Sequence, residues 1–196
     1  MTLAHLTIAG IGGSTRPGSS TEQALRAALR QIERLGARTV CLTGDDLDLP
    51  HYTPDDTGHP GRRRLVELMA SADGLVIATP AYHGGMSGLV KNALDHAEDL
   101  RLRPEPYFSS RPVGCLATAY GAQGAASALA SLRATVHALR GWPTPLGVAV
   151  DSSRVRFGPS GACQDPHIQS HLEIMARHVT EFAATRSLRY RQEKAS

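Results

Sequence analysis

The sequence predicts a three-layer α/β fold, in which helices cover both faces of a five-stranded parallel sheet. Short apolar runs alternate with helical patterns along almost the whole chain. Two of these runs end in glycine-rich loops, as strands do at the ligand-binding edge of an open parallel sheet. The length of 196 residues suits one domain, which we expect to span residues 1–196 with a flexible tail at 190–196.

The strands and helices can be followed in order along the chain. Apolar runs of strand length, bounded by glycine, proline or polar residues, predict strands at 5–10, 38–42, 74–79, 113–118 and 146–150. Apolar residues three or four positions apart predict helices at 20–35, 62–72, 88–99, 125–140 and from 166 onward. Gly36 is placed to end the first helix, and Asp165 with Pro166 is placed to begin the last. Two connections are irregular, residues 43–61 and the proline-rich link 103–112.

The loop after the first strand, residues 12–21, combines glycines with hydroxyl residues and one arginine. The helix that follows can be capped by Ser19 paired with Glu22, or by Ser20 paired with Gln23. Free N–H groups at a helix start attract a phosphate, and an arginine adds a bidentate charged contact. The candidate phosphate-binding residues are Ser14, Arg16, Ser19, Ser20 and Thr21.

Two well-known nucleotide loops fit this segment less well. The glycine spacing that starts at Gly13 matches a triphosphate-binding P-loop, but Ser19 stands where the phosphate-binding lysine belongs. A dinucleotide fingerprint could start at Gly10, but Thr15 occupies the position of its third glycine. Asp45, after the second strand, keeps a dinucleotide site open as an alternative. A monophosphate fits the loop better than either.

The second glycine-rich loop follows the third strand and runs from Thr79 to Asp95. It opens with Pro80, holds several glycines and then enters a helical pattern. A stiff proline and bare glycines let backbone N–H groups approach a flat ligand closely. Taken alone, the loop is equally consistent with an ordinary connection whose glycines only make turns.

Together the two loops resemble those of the NAD(P)H-dependent FMN reductases, a family of flavodoxin-like proteins. The family's phosphate loop, Gly-Ser-x-Arg-x-x-Ser, is matched by Gly13, Ser14, Arg16 and Ser19. Its flavin-ring loop is matched without insertion or deletion by Thr79, Pro80, Tyr82, His83, Gly84, Gly88, Lys91, Asn92, Ala93 and Asp95. Two positions depart from the pattern, since Val90 replaces a usual leucine and Ala81 a frequent glutamate. The resemblance covers residues 3–150.

The resemblance implies the flavodoxin strand order 2-1-3-4-5, with FMN bound where strands one and three adjoin. It implies ring contacts from the second loop and from a third loop after strand four, at Pro80, Ala81, Tyr82, His83, Gly84, Tyr120, Gly121, Gln123 and Gly124. Tyr120 could stack on the ring or cover the core. His83 could donate a proton or be an ordinary polar loop residue. No catalytic residue is predicted, because the flavin itself accepts hydride.

The function implied is an FMN-dependent NAD(P)H oxidoreductase that takes hydride from NADPH or NADH. The electrons would pass to free flavin for a partner monooxygenase, or to a quinone, azo or nitro compound. One alternative is a non-enzymatic electron carrier of the flavodoxin type, which the basic composition and Arg16 disfavour. Another is a flavin-binding family member recruited to specialised metabolism.

Composition excludes several other classes of protein. The net charge of +3 comes from dispersed basic residues, and aromatic residues make up only 5% of the chain, so we expect no nucleic-acid partner. No apolar run is long enough to span a membrane, and the three cysteines are widely spaced. We therefore expect a cytoplasmic protein with reduced cysteines and no membrane partner.

The last helix carries two features that bear on a metal site and on an oligomer. His167 and His171 lie on one helix face but lack a third ligand at matched spacing, so no metal is predicted. The opposite face carries an apolar stripe, which packs on the sheet or in part contacts a second subunit: Ile168, Leu172, Met175, Val179 and Phe182. A shallow flavin crevice on a small domain, together with the resemblance, implies a homodimer or homotetramer.

Overall fold

Seven strands form one sheet in the computed structural model, which describes residues 3–55, 58–158 and 161–195. The strands are β1 Thr7–Gly12, β2 Arg38–Leu42, β3 Gly74–Tyr82, β4 Gly85–Met86, β5 Pro112–Ala119, β6 Trp142–Pro143 and β7 Val148–Asp151. In the described part of the chain, the α-helices are α1 Ser20–Arg34, α2 Pro60–Ser71, α3 Gly88–Asp95, α4 Ala122–Ala138 and α5 Pro166–Ala195.

The sheet has the predicted parallel order, with two additions. Strands β2, β1, β3 and β5 lie side by side in that order and are parallel. Both β6 and β7 pair with β5, the first along its start and the second along its end, so together they occupy the place of the fifth strand. The order 2-1-3-4-5 is therefore confirmed. Strand β4 pairs antiparallel with the end of β3.

The fifth strand, predicted at 146–150, starts at Val148 instead, and the short strand β6 before it was not predicted. The strand is divided, because the segment between β6 and β7 leaves the ladder. Pro143 and Pro145 lack the N–H group that a strand interior must donate. The short strand β4 was also missed, since only two of its residues pair with β3.

Two hydrophobic cores lie on opposite faces of the sheet and make the fold a three-layer sandwich. Helices α1 and α5 bury their apolar residues in one core. Helices α2, α3 and α4 contribute to the other. In the stripe of α5, four residues are buried on the sheet, namely Ile168, Leu172, Met175 and Val179. Phe182 is the exception and remains 37% exposed.

Three element boundaries differ from the predictions in ways that affect the site. Strand β1 continues to Gly12, two residues beyond its predicted end. Helix α4 begins at Ala122, so Gln123 and Gly124 lie in its first turn rather than in a loop. Helix α3 ends at Asp95 and is followed by a 3₁₀ segment, His96–Leu100.

The last helix is long, and its start is as predicted. The Asp165 carboxylate accepts hydrogen bonds from the N–H groups of His167 and Ile168, at 2.9 and 3.0 Å. The helix continues to Ala195. The flexible tail expected at 190–196 stays a prediction, because Ser196 and the side chains from residue 190 onward lie outside the described residues. None of the helices in the described part of the chain is both long and apolar enough to cross a bilayer.

Candidate functional site

The two glycine-rich loops leave adjacent strands, β1 and β3, at the carboxyl edge of the sheet. The Gly13 N–H donates to the carbonyl oxygen of Ala78 on β3, at 3.2 Å. A side chain at Gly12 would place its Cβ only 1.9 Å from that same oxygen. Close approach of the two backbones therefore requires glycine at residue 12, and it brings both loops to one crevice.

The start of helix α1 is capped by Ser19, which decides between the two predicted caps. The Ser19 hydroxyl oxygen accepts from the Glu22 N–H at 3.2 Å. The Glu22 carboxylate accepts from the Gly18 N–H at 2.9 Å rather than from Ser19 itself. It also pairs with Arg26 at 2.8 Å. These contacts fix the loop ahead of the helix.

The predicted phosphate-binding residues divide into exposed and buried groups. Arg16 is exposed, and its guanidinium contacts no partner among the residues that the structure describes. The Arg16 N–H donates to the Ser14 hydroxyl at 3.2 Å, and Ser20 is partly exposed at the first helical position. Ser19 and Thr21 are buried, and their side chains hold the loop and the helix in place. An anion at this helix start would meet a free guanidinium and helix N–H groups that lack an intrahelical acceptor.

The second loop is a β-hairpin built from the end of β3 and from β4. Pairing of Ala81 with Met86 and of Tyr82 with Gly85 leaves a two-residue turn. Its residues, His83 and Gly84, have φ angles of 50° and 85°. Positive φ at both positions matches a type I′ turn, where Asn or His is tolerated before glycine. Backbone geometry thus accounts for His83 without any role in proton transfer.

The hairpin is held at its tip and at its base. At the tip, the Ser127 hydroxyl of α4 donates to the Gly84 carbonyl oxygen at 2.6 Å. At the base, the Thr79 hydroxyl accepts from the Ser87 N–H at 3.0 Å and donates to the Pro80 carbonyl oxygen at 2.9 Å. The side chain of Ser87 in turn caps helix α3. The hairpin therefore has a fixed position beside the phosphate loop.

Among the remaining residues of the motif, Asn92 holds residues 49–52 of the irregular connection against α3. The Asn92 side-chain amide donates to the carbonyl oxygens of Leu49 and Pro50, each at 3.1 Å. Its oxygen accepts from the Tyr52 N–H, also at 3.1 Å. Lys91, by contrast, forms an exposed ion pair with Asp95, four residues on, at 2.6 Å.

A buried arginine holds the same connection from the other side. The Arg62 guanidinium binds Asp99 through two hydrogen bonds of 2.9 and 2.7 Å and donates to the Thr53 carbonyl oxygen at 2.8 Å. It also lies over the Tyr52 ring, 5.0 Å from the centroid. That ring is nearly perpendicular to the ring of His96, with centroids 5.6 Å apart, and the Nε2 of His96 lies 3.2 Å from the Pro50 carbonyl oxygen. Burial lowers the pKa of His96.

The third loop is held by the residues that follow β7. The Ser152 N–H and hydroxyl both donate to the Ala119 carbonyl oxygen, at 2.8 and 3.0 Å. The Asp151 carboxylate accepts from the hydroxyl and N–H of Ser153, at 2.6 and 3.0 Å, and these bonds lower the pKa of Asp151. A weaker contribution to that lowering comes from a hydrogen bond with the backbone of Gly121. Asp151 thus supports the third loop at the same edge of the sheet.

Tyr120 projects from this loop and is 89% exposed. The interpretation that it covers the core of its own chain was therefore wrong. Stacking on the flavin ring stays a prediction. Gly121 precedes helix α4, and Gln123 and Gly124 belong to the first turn of that helix. Tyr82, on the hairpin, is 56% exposed, so two aromatic side chains are open to solvent at the ends of β3 and β5.

Sequence reasoning missed two residues that position the site. Asp151 carried a usable signal, because an acid directly after a buried strand lies at the carboxyl edge of the sheet. Ser127 carried none, because a serine within a helical pattern does not reveal which loop it will contact.

The two histidines of the last helix lie close together. The rings of His167 and His171 lie with their centroids 4.0 Å apart. Within residues 3–55, 58–158 and 161–195, no group of three or more His, Cys, Asp or Glu side chains is arranged to hold a metal ion.

Comparison with known proteins places this site in a family context. The profile of the NADPH-dependent FMN reductases matches residues 6–154. An NAD(P)H-dependent FMN reductase of Pseudomonas aeruginosa is 33% identical over 135 residues, which cover 67% of this chain and 69% of that protein. An FMN-dependent NADPH-azoreductase of Staphylococcus aureus is 30% identical over 141 residues, covering 70% of this chain and 71% of that protein.

A solved structure supports the fold. The NAD(P)H:(acceptor) oxidoreductase FerB from Paracoccus denitrificans superposes with a TM-score of 0.76, covering 92% of this chain and 98% of its own. At 22% identity the likeness concerns the fold.

Proposed function

The chain belongs to the NADPH-dependent FMN reductase family and is an FMN-dependent NAD(P)H oxidoreductase, and from this premise we propose that it retains FMN while reducing small azo or quinone compounds. The sequence relatives support this choice of acceptor, because one of them is an FMN-dependent azoreductase. FMN would lie in the crevice formed by the phosphate loop, the hairpin and the third loop.

One observation carries the proposal for the binding site. Arg16, whose guanidinium has no partner among the described residues, and the start of α1 follow the end of β1, next to the hairpin at the end of β3. Arg16 and the start of α1 suit a phosphate, and the hairpin offers backbone groups to a planar ring. FMN carries a phosphate at one end and a planar ring at the other, so the chemistry of the two loops fits it.

When bound, FMN would supply the redox chemistry that links the nicotinamide to the acceptor. The protein has to bind and orient it. Arg16 would bind the phosphate, while the Ser127 and Thr79 hydrogen bonds keep the hairpin in place. Tyr82 and Tyr120 offer exposed rings against which flat molecules can pack. No side chain is needed as a general acid or base, and we assign none.

A homodimer, or a tetramer made from two dimers, accompanies this function in our proposal. The exposed rings of Tyr82 and Tyr120 support it, because a second subunit placed over them would shield the crevice from water. Light scattering should therefore give a mass of at least twice the 20.9 kDa of one chain.

We also propose a cytoplasmic location, which the three free cysteines Cys41, Cys115 and Cys163 support.

The proposed acceptor class is tested by steady-state oxidation of NADPH and NADH by FMN-loaded protein. Azo dyes, quinones and added free FMN are compared as acceptors, with protein-free FMN as the control for uncatalysed reduction. We expect turnover of azo or quinone compounds without loss of FMN from the protein on gel filtration. Turnover that requires excess free FMN would instead show a reductase that releases its flavin to a partner such as a monooxygenase. Absence of NAD(P)H oxidation with every acceptor would favour an electron carrier.

A further inference from the structure

A second cleft lies at the opposite end of the sheet from the FMN crevice. It has a volume of about 460 Å³ and is lined by Glu105, Ser110, Trp142, Phe182, Thr185, Arg186 and Arg189. Trp142 pairs with Pro112, the first residue of β5, whereas the third loop leaves from the last, Ala119. The length of β5 separates the two sites by roughly 23 Å, at about 3.3 Å per residue. We call this second site the distal cleft.

The distal cleft exists because helix α5 is longer than the sheet that it covers. Up to residue 189, where the described side chains end, the last buried apolar residue of this helix is Ala183, and the helix continues to Ala195. Thr185, Arg186 and Arg189 lie on this extension and face β6 and the link 103–112 across the cleft. The cleft is therefore walled by three separate segments of the chain, and its volume is within the usual range for small-molecule sites.

Two aromatic rings form its apolar part. The rings of Trp142 and Phe182 have centroids 5.1 Å apart and are tilted by 39°. Trp142 is 55% exposed, so it retains a large open surface even with this neighbour. Aromatic side chains left open beside a cavity favour a flat apolar ligand that can pack against them.

The charged part of the distal cleft has an excess of positive charge. Arg186 is paired with the Glu105 carboxylate. Arg189 is exposed and has no partner among the described side chains. The buried guanidinium of Arg111 lies close by, and its pKa is lowered to about 10, chiefly by burial and next by the charge of Arg186. Among the described residues that line the cleft, two arginines therefore face one carboxylate, and this excess of positive charge favours an anion.

We propose that the distal cleft binds a planar aromatic anion, such as an aromatic carboxylate or sulfonate. The ring packs against Trp142 and Phe182, and the acidic group pairs with Arg189. A second copy of the chain suits the cleft less well, because a two-fold contact here would bring the same excess positive charge from both copies together.

Calorimetric titration of FMN-loaded protein with naphthalenesulfonate tests the proposal. Neutral naphthol and the ring-free anion methanesulfonate serve as matched probes for the ring and for the charge. We expect naphthalenesulfonate to bind, and both matched probes to bind at least about tenfold more weakly. Equal binding of naphthol would show that the charge plays no part, and no binding of naphthalenesulfonate would overturn the proposal.

Variants locate the binding to this cleft rather than to the flavin crevice. Arg189→Gln and Phe182→Ala should each weaken naphthalenesulfonate about tenfold or more, whereas Arg38→Gln, an exposed arginine on β2, should not. Trp142 is the chain's one tryptophan, so its fluorescence should be unchanged by methanesulfonate and altered by a non-emitting aromatic carboxylate. A change in the flavin absorption spectrum with unchanged affinity in both variants would assign the ligand to the crevice and contradict the proposal.

FMN affinity and NADPH oxidation are measured in parallel. Failure of the distal-cleft proposal can therefore be distinguished from failure of the proposed function.

Discussion

The side-chain oxygens of Thr21 and Thr118 lie 2.5 Å apart and share a hydrogen bond between residues 97 positions apart in the chain. Thr21 is in the first turn of α1, and Thr118 lies near the end of β5. Both side chains are almost fully buried. This bond therefore joins the helix of the phosphate loop directly to the strand that carries the third loop.

Removing both partners of this bond should cost less stability than the two single removals added together. Thr21→Val leaves the buried hydroxyl of Thr118 without a partner, which costs about 1–3 kcal/mol. Thr118→Val should lower the free energy of unfolding by a similar amount. The double variant should lower it by clearly less than the sum of the two single losses. The free energy of unfolding of all four proteins, measured in urea, completes a double-mutant cycle. Additive losses would show that the two hydroxyls are not coupled.

Arg16→Ala should weaken FMN binding without disturbing the fold. One charge-assisted contact is worth about 1.5–3 kcal/mol, so the Kd for FMN should rise about tenfold to a hundredfold. Riboflavin, which lacks the phosphate, should bind the variant and the parent equally. Quenching of flavin fluorescence measures the affinities for FMN and for riboflavin. The variant Arg38→Ala controls for the loss of an exposed arginine. Equal losses for FMN and riboflavin would mean that Arg16 does not act on the phosphate.

His83→Asn should keep the rate of NADPH oxidation within about twofold, because asparagine is also tolerated at the positive φ of a type I′ turn. His83→Val should instead lower FMN affinity, because a β-branched residue is strained at a φ of 50°. Steady-state kinetics of both variants, with FMN titrations, decide between backbone and proton-transfer roles. A large loss of kcat in His83→Asn, with FMN still bound, would indicate proton donation.

Asn92→Ala should release the connection 43–61, because the side chain makes three hydrogen bonds to the backbone of residues 49–52. We expect a loss of about 2–3 kcal/mol in the free energy of unfolding, because three hydrogen bonds worth about 1 kcal/mol each are removed. Lys91→Ala is the matched control, since an exposed ion pair of this spacing contributes only about 0.3–0.5 kcal/mol. Limited proteolysis, read by mass spectrometry, should show faster cleavage within 43–61 in the first variant alone.

His96 should make the fold less stable in mild acid. Burial lowers its pKa below the ordinary value of about 6.5, so under acidic conditions the unfolded chain binds a proton that the folded chain rejects. Its share of stability is complete above about pH 6.5 and falls as the pH drops toward the lowered pKa. His96→Gln can still donate to the Pro50 carbonyl oxygen but does not titrate. Urea unfolding between about pH 7 and about pH 5 should therefore show a smaller loss for this variant than for the parent. Equal losses of unfolding free energy in the variant and the parent would show that His96 is not the source of the acid sensitivity.

Much of the fold could be predicted because the sequence signals of strands and helices lie in residues that are close together in the chain. The apolar runs at β2 and β3 and the cap at Asp165 were recognised from residues only a few positions apart. The strand order came from the resemblance between two short loops and a known family. The hairpin at 81–86 was missed, although the pair His83 and Gly84 is a possible turn signal, because each of its arms is too short to show alternation.

The sequence by itself determined the class of fold, the two loops that meet at the crevice and the family to which the chain belongs. The tertiary structure alone decided that Ser19 rather than Ser20 caps α1, that Tyr120 is exposed, and that Ser127 holds the hairpin. It also showed that Trp142 and the extension of α5 form a second cleft. The physical reason is the range of the interactions concerned. Periodicity and caps depend on neighbours within one or two helical turns, whereas these contacts depend on which distant segments the packed sheet brings together.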